Sequence, residues 1–216
     1  MITAKNKIYF YKLTADNGGA PCLDKEGKVL SLAICKPMIR STARPGDLIF
    51  GFAANSLDQN NRLIYIAYIT EKKGADYYTN ENYMHRDDCI YELKGDRFVW
   101  RKKSRHHSQD DVDHDLGKYP LYPKARVLLS SDFRYFGVNG ESSYKTQYPL
   151  IKNAIEQLGV GHRVNHGEQL RSQFRALQQQ KWKETQQQVL GDPTSIPQAS
   201  VIHRCKSYGV IDCGSC

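Results

Sequence analysis

One stretch, residues 36–57, constrains the fold more than any other because it joins a helix start, a sharp turn and an apolar strand. Pro37 suits the first turn of a helix, where its missing N–H leaves no hydrogen bond unmade. The Pro-Gly-Asp at 45–47 is strong turn chemistry, and the apolar run 48–52 is typical of a buried strand. The stretch therefore predicts a short helix, a turn, a strand and then a polar loop at Asn55-Ser56.

Apolar segments on both sides of this stretch indicate a sheet. Residues 7–13 are β-rich, residues 29–35 are mostly apolar, and residues 61–70 carry apolar side chains on both faces. A strand that is apolar on both faces belongs in the middle of a sheet. We expect residues 61–70 to pair with residues 48–52 as a hairpin, and Gly51 indicates either a bulge or a close approach of another group to the backbone.

The next part of the chain predicts further strands separated by polar segments. Residues 89–93 and 97–100 flank a Lys-Gly-Asp turn and predict a second hairpin, and residues 125–130 predict another strand. Residues 101–119 are polar and predict a long functional or mobile loop. Residues 131–137 predict a glycine-ended loop that carries three aromatic side chains.

Helical spacing of apolar residues appears only after this β-rich region, at 149–158 and 168–190. Strands followed by helices predict an α+β fold with a curved sheet or small barrel. The predicted divisions are a β-rich domain at 1–143, helices packed on it at 144–191, and a cysteine-containing tail at 192–216.

The charge of the chain favours an anionic partner. The 216 residues include 31 Lys and Arg against 23 Asp and Glu, which gives a formal charge of +8. A basic balance of this size favours nucleic acid as the partner, and the alternative is a solvated basic surface. No apolar run approaches the roughly 20 residues of a membrane span, and the first residues lack the apolar core of a signal peptide. We therefore expect a cytoplasmic protein without a membrane partner.

Three of the predicted loops, 14–22, 52–56 and 131–137, together favour a pocket for a flipped or modified nucleobase. Such a pocket needs aromatic faces for stacking and amide groups for the Watson–Crick edge, and nearby arginines would hold phosphates. The predicted base-binding residues are Asn17, Phe52, Asn55, Ser56, Phe133 and Tyr135, and the predicted phosphate-binding residues are Arg40, Arg62 and Arg134. The alternative is that the aromatic side chains are core and the arginines are surface.

A second candidate site lies in the tail, where four soft ligands could hold a metal. His203, Cys205, Cys213 and Cys216 suit tetrahedral zinc, and the last two form a Cys-x-x-Cys pair. The alternative is a tail with free thiols.

A third candidate is the histidine-rich segment. His106, His107 and His114 lie among four aspartates between residues 110 and 115, where they could bind a divalent cation or act in acid–base chemistry. These histidines are the best general-base candidates of the chain. The alternative is a solvated loop. Cys22 and Cys35 are possible nucleophiles, but no base lies near either of them in sequence, which favours the role of a small buried apolar residue.

Four pieces of the sequence carry a family resemblance: residues 11–22 (YKLTADNGGAPC), 32–40 (LAICKPMIR), 45–52 (PGDLIFGF) and 126–137. Together they resemble the nucleotide modification associated domain family, second type, over residues 7–160. The resemblance implies an association with DNA-base modification systems of phages and bacteria. It says nothing of the second helix or the tail.

The order of strand, helix, Gly-Asp and strand is also similar to the PUA-like group, which includes the EVE, ASCH and YTH domains. That likeness implies a small curved β-barrel and a ligand pocket near Asn55-Ser56. Together with the helical spacing after residue 147, the predicted fold is a PUA-like small curved β-barrel with flanking helices and a C-terminal helical extension.

These observations lead to three hypotheses. The first is a nucleic-acid-associated protein that binds a modified or flipped base within a DNA-modification or defence system, with DNA favoured over RNA. The alternative is an enzyme that acts on nucleotides or modified bases through His106, His107 or His114. The third is an interaction module whose helix at 168–190 binds a protein partner.

Overall fold

The computed structural model describes residues 6–24, 26–101 and 104–194. Within these residues the chain forms eleven strands, with five α-helices placed between and after them. The strands are Ile8–Leu13 (β1), Cys22–Leu23 (β2), Leu30–Leu32 (β3), Leu48–Ala53 (β4), Leu63–Tyr68 (β5), Glu71–Lys73 (β6), Tyr91–Lys94 (β7), Arg97–Trp100 (β8), Val127–Ser130 (β9), Asp132–Tyr135 (β10) and His162–Arg163 (β11). The α-helices are Pro37–Thr42 (α1), Val112–Leu116 (α2), Tyr144–Gln147 (α3), Pro149–Glu156 (α4) and Glu168–Glu184 (α5).

The strands form two sheets and a separate hairpin. The larger sheet has the order β10-β5-β4-β1-β11, the second has the order β2-β3-β9-β6, and β7 pairs with β8. Among the strands of the described residues, β1 and β4 are the one parallel pair, with Ile8 opposite Leu48 and Leu13 opposite Ala53. Parallel neighbours end at the same edge of a sheet, so the loops after β1 and β4 lie side by side there.

The larger sheet is buried on both faces because its central strands are apolar on both faces. One face, with Phe10 and Phe50, packs against α4 and α5. The other face, with Tyr11 and Ile49, packs against α1 and the second sheet. A third apolar cluster forms around Tyr78 and Leu116, beyond the second sheet. The second sheet therefore lies between two cores.

The α+β class is confirmed, but the described residues form no closed barrel. The outer strands of the larger sheet, β10 and β11, pair with no strand of the second sheet, so the two sheets pack face to face and do not join into one cylinder. The predicted hairpin of β4 and β5 is confirmed, and its register shifts between Gly51 and Phe52, as the expected bulge requires.

Three predicted segments are corrected. Residues 132–135 form strand β10, which pairs with β5, and not a loop. The polar segment 101–119 contains α2, because Val112 and Leu116 lie one turn apart and pack into the third apolar cluster. The last helix ends at Glu184 and not near residue 190. The proposed division at residue 143 stays a prediction.

Among the residues that the structure describes, no helix is both long enough and apolar enough to cross a bilayer.

Candidate active site

The three loops predicted to form a base pocket come together, but the predicted stacking rings point into the core. Phe52 and Phe133 are completely buried, and the Phe52 ring packs against Tyr144 with their centroids 5.0 Å apart. Tyr135 is also buried, and its hydroxyl donates a hydrogen bond to Asp16 Oδ1 at 2.5 Å. In this structure these rings hold loops together and offer no exposed face to a base.

The predicted polar groups of the pocket lie nearer the surface. Asn55 and Ser56 are exposed, and Asn55 Oδ1 accepts a hydrogen bond from Asn61 Nδ2 at 2.7 Å. Asn17 is half-buried, and its Oδ1 accepts from the Gly19 N–H at 3.1 Å. The loops that carry these residues follow the parallel strands β1 and β4, so they share one edge of the larger sheet.

The three predicted phosphate-binding arginines are engaged by the chain itself. Arg40 is fully buried, and its guanidinium donates to the backbone carbonyls of Cys35, Asp115, Lys124 and Arg126. Arg134 donates to the carbonyl of Thr185 and lies over the Trp182 ring, 4.4 Å from its centroid.

Arg62 keeps partial exposure but also has partners within the chain. Its Nη1 lies 3.4 Å from Asp58 Oδ2, and its Nε donates to the Gly137 carbonyl. Its Nη2 donates to Thr194 Oγ1.

The predicted zinc ligands, His203, Cys205, Cys213 and Cys216, lie outside the described residues. In the part of the chain that the structure describes, no three His, Cys, Asp or Glu side chains are grouped so that they could hold a metal ion.

A different cluster has the geometry of a catalytic site, and it is built where β3 leads into α1. Cys35 and Lys36 fill this connection with φ angles of +55° and +45°, and His107 has a φ of +55°. A residue other than glycine in this region costs about 1–3 kcal/mol, and such strain is often found at functional sites. All three side chains are almost completely buried.

Cys35, His107 and Asp115 form a line of contacts. Cys35 Sγ lies 3.2 Å from His107 Nε2, and His107 Nδ1 lies 2.7 Å from Asp115 Oδ2. Asp115 Oδ1 accepts the Cys35 N–H at 3.0 Å, and Asp115 Oδ2 accepts the Tyr91 hydroxyl at 2.7 Å. A thiol, an imidazole and a carboxylate in this order are the nucleophile, base and orienting group of thiol-dependent catalysis.

Charges within the cluster favour an ion pair between His107 and Asp115. Burial alone would raise the pKa of Asp115, but the nearby charges of His107 and Arg40 lower it to about 2. Burial alone would lower the pKa of His107, but the charge and hydrogen bond of Asp115 and the contact with Cys35 raise it well above its usual range. Near neutral pH the His107 imidazole is therefore protonated, and its Nε2 lies beside the Cys35 sulfur.

The other two predicted histidines do not join this line of contacts. The His106 ring packs on Gly19, where an added Cβ would lie 2.8 Å from ring atoms, so this position has no room for a side chain. Burial is the main cause that lowers the pKa of His106 and of the half-buried His114. His107 is therefore the one of the three that contacts a nucleophile.

Sequence reasoning named both Cys35 and His107 but did not pair them, because 72 positions separate them. Asp115 was included only as one member of an acidic cluster. No local motif signals the pairing, which depends on the path that brings residue 107 and α2 to the end of β3.

Comparison with known proteins tests the family resemblance. A family model described as nucleotide modification associated domain 2 matches residues 5–199, a range that contains Cys35, His107 and Asp115. Neither the curated proteins nor the solved structures include a significant match to the chain. Because the family match spans almost all of its residues, the chain belongs to the nucleotide modification associated domain 2 family.

Proposed function

We propose that this chain is an enzyme of nucleotide-modification systems that attacks an electrophilic carbon of a nucleotide or modified base with the Cys35 thiol. The observation that carries the proposal is the Cys35–His107–Asp115 line of contacts, with 3.2 Å and 2.7 Å between successive groups. The family membership supports a role in nucleotide modification. It does not specify a reaction.

The proposed chemistry divides one substitution into two steps. The Cys35 thiolate forms a C–S bond to the substrate carbon, and the leaving group departs with the proton that His107 Nε2 gives up. A second nucleophile, water or an acceptor amine, then loses a proton to His107, attacks the same carbon and breaks the C–S bond, which restores the thiolate. Asp115 is a positioning residue, because it contacts His107 and not the reacting atoms.

A purely structural role would explain only part of this geometry. The Asp115 carboxylate lies 3.6 Å from the Arg40 guanidinium, accepts the Tyr91 hydroxyl and binds the Cys35 N–H, so it connects several segments without help from a histidine. The fold does not need an imidazole between that carboxylate and a thiol. This additional contact is what supports catalysis.

A covalent-trapping experiment tests the proposal. The full chain is incubated with nucleotides and with oligonucleotides that carry modified bases, and intact-mass and peptide mass spectrometry then locate any adduct. We expect an adduct or turnover with the wild type and with Cys22→Ser, and neither with Cys35→Ser. Iodoacetamide serves as a general probe of the thiol. The proposal fails if Cys35 reacts with iodoacetamide no faster than the buried Cys22 and no substrate forms an adduct.

A second candidate function is binding of a modified base without catalysis. A cavity of about 340 Å³ supports it, and its volume is within the range of small-ligand sites, but none of the predicted base-binding residues lines it. The cavity is lined by Leu63, Phe136, Asn139, Glu141, Ser143, Tyr144, Lys181, Glu184, Thr185 and Leu190. The charge of +8 favours nucleic acid as the ligand, and a preference for DNA belongs to this proposal.

Oligonucleotide binding at a fixed salt concentration tests whether the chain recognises modified bases. A reader of modified bases should bind a modified duplex or single strand more tightly than the unmodified one. Equal affinity for both, or no binding, would remove it. Helix α5 as a docking surface for a protein stays a prediction, to be tested by exchanging its exposed polar side chains.

A further inference from the structure

We infer that the Lys36 ammonium binds an oxyanion of the substrate beside the Cys35 thiol, and that the enzyme therefore selects anionic substrates over neutral ones. The inference rests on the proposed function, which it deepens by naming a substrate class. It concerns a residue that the Cys35–His107–Asp115 line of contacts does not use.

The Lys36 side chain is buried without a polar partner. The residue is only 6% exposed, and its Nζ forms no hydrogen bond within the part of the chain that the structure describes. Its Nζ lies over the aromatic face of Tyr11, 5.1 Å from the ring centroid. The Tyr11 hydroxyl hydrogen-bonds to the Tyr65 hydroxyl at 2.9 Å, so this ring is fixed in place.

The energetics of this arrangement favour an anionic ligand. Removing an ammonium from water costs several kcal/mol, and a cation–π contact returns only about 0.5–2 kcal/mol. Burial accordingly lowers the pKa of Lys36. A bound oxyanion would supply the missing counter-charge and the missing hydrogen-bond acceptors together.

The position of Lys36 connects it to the thiol. It follows Cys35 directly, and the two consecutive residues both have left-handed backbone angles. Both residues are only 6% exposed, so the sulfur and the lysine side chain are buried at the same connection between β3 and α1. An anion bound at Nζ would thus be held near the carbon that the thiolate attacks.

Two kinds of substrate supply a suitable oxyanion. One is the phosphate of a nucleotide, and the other is a carboxylate on a modifying group of the base. Both accept hydrogen bonds from an ammonium, so the common chemistry is an oxyanion next to an electrophilic carbon. A neutral base or nucleoside has no such group.

Alkylation of Cys35 by two similar reagents tests the inference without knowledge of the substrate. Iodoacetate carries a carboxylate and iodoacetamide is neutral, and peptide mass spectrometry measures the rate of each at Cys35 alone. We expect the ratio of the iodoacetate rate to the iodoacetamide rate to fall about tenfold in Lys36→Met, which equals the loss of about 1.4 kcal/mol of selectivity. Lys28→Met removes one charge from an exposed position and should leave the ratio unchanged.

Competition experiments identify the source of the anion. Inorganic phosphate should slow the iodoacetamide reaction in the wild type if the site takes phosphate, and acetate should slow it if the site takes a carboxylate. Neither should protect Lys36→Met. Lys36→Arg keeps the cation and should keep most of the selectivity.

Each result leads to a separate conclusion. If Cys35 reacts readily but Lys36→Met keeps the wild-type ratio, the Lys36 inference is overturned and the proposed function stands. If Cys35 reacts with neither reagent faster than Cys22 and no substrate forms an adduct, the proposed function is overturned. Should Lys36→Met fail to fold, lack of protection of the wild type by either anion overturns the inference.

Discussion

Two buried polar networks of this protein share the same three components and differ in a fourth. Asp115 and Asp88 are both completely buried. Asp115 lies 3.6 Å from Arg40 and accepts the Tyr91 hydroxyl, whereas Asp88 lies 3.5 Å from Arg86. Asp88 also accepts the Tyr77 hydroxyl at 2.8 Å. Each network therefore has a buried aspartate, arginine and tyrosine.

The fourth component is His107 in one network and Ser31 in the other. The Ser31 hydroxyl donates a hydrogen bond to Asp88 and accepts one from Arg86. This second network therefore has a hydroxyl group in the place of the imidazole. A cysteine lies beside each network, but Cys22 Sγ donates to the neighbouring Leu23 carbonyl at 3.5 Å, and burial raises the pKa of its thiol. The comparison shows that the aspartate, arginine and tyrosine of each network join distant segments of the chain. His107 supplies what the other network lacks, an acid–base group in contact with a thiol.

Asp115→Asn and Asp88→Asn should have the largest effect, and it should be similar in both. Each removes the charge that neutralises a buried arginine, and loss of one partner of a buried pair costs about 3–5 kcal/mol in the free energy of unfolding. Urea denaturation measures this loss. The two variants should differ in the alkylation rate of Cys35, which falls in Asp115→Asn and stays at the wild-type value in Asp88→Asn.

That rate is measured in the absence of urea, where circular dichroism shows the fraction of folded protein. Equal alkylation rates of Cys35 in the two aspartate variants would mean that Asp115 does not act through His107 on the reactivity of Cys35. The Asp115 network would then be structural, like the Asp88 network, and not part of an active site.

His107→Gln should have the next largest effect, and it should be confined to one network. Glutamine can still hydrogen-bond to Asp115, but it carries no charge beside Cys35 Sγ, 3.2 Å from the native imidazole. Loss of a positioned acid or base typically slows a reaction by about 100-fold or more. We expect a decrease of this size in Cys35 alkylation by iodoacetamide at pH 7. Exchange of His106 for Gln is the matched control and should leave the rate near the wild-type value.

The pH dependence of stability provides a smaller effect with a defined sign. The pKa of His107 is raised in the folded protein, whereas an unfolded histidine has a pKa of about 6.5. Above that value the native state binds more protons than the unfolded state, so the free energy of unfolding falls as pH rises, by at most about 1.4 kcal/mol per pH unit. Below it, the stabilisation by His107 is fully present.

The measurement is the difference in unfolding free energy between the wild type and His107→Gln from pH 5 to pH 9. Asp115, whose pKa is lowered to about 2, stays ionised throughout this range. Burial lowers the pKa values of His162 and His166, and these two groups affect both proteins alike and cancel in the difference. His106 and His114 lose the nearby charge of His107 in the variant, but burial is the main cause that lowers their pKa values, so their contribution lies below about pH 6.5. A difference that does not decrease above about pH 6.5 would contradict the ion pair.

The fold could be predicted wherever the signal is local. The turn at residues 45–47, the apolar run that became β4 and the bulge after Gly51 all follow from neighbouring residues. The strand at residues 132–135 was missed because Arg134 interrupts its apolar pattern. In the structure that arginine is buried against Trp182, a residue about fifty positions away that no local pattern connects to it.

The candidate site was harder to predict because its residues meet only through tertiary structure. Phe52 and Phe133 were interpreted as stacking rings since they flank loops, but strand pairing turns both into the core. His107 and Cys35 were each named as reactive candidates. Nothing in the sequence indicates that Cys35 Sγ lies 3.2 Å from His107 Nε2. The sequence therefore indicates which residues are chemically reactive, but not which of them are in contact.

Cys22→Ala should have the smallest effect and should distinguish the two cysteines most clearly. The thiol is buried and its bond to the Leu23 carbonyl is weak, so its removal loses about as much as a buried methylene, ~0.8 kcal/mol in unfolding free energy. The alkylation rate of Cys35 and its preference for iodoacetate should both stay unchanged. Cys35→Ala should cost a similar amount of stability yet remove all adduct formation with substrates. If Cys22→Ala instead reduced adduct formation as strongly as Cys35→Ala, the thiol chemistry would belong to neither network alone, and the assignment of His107 as the deciding group would be wrong.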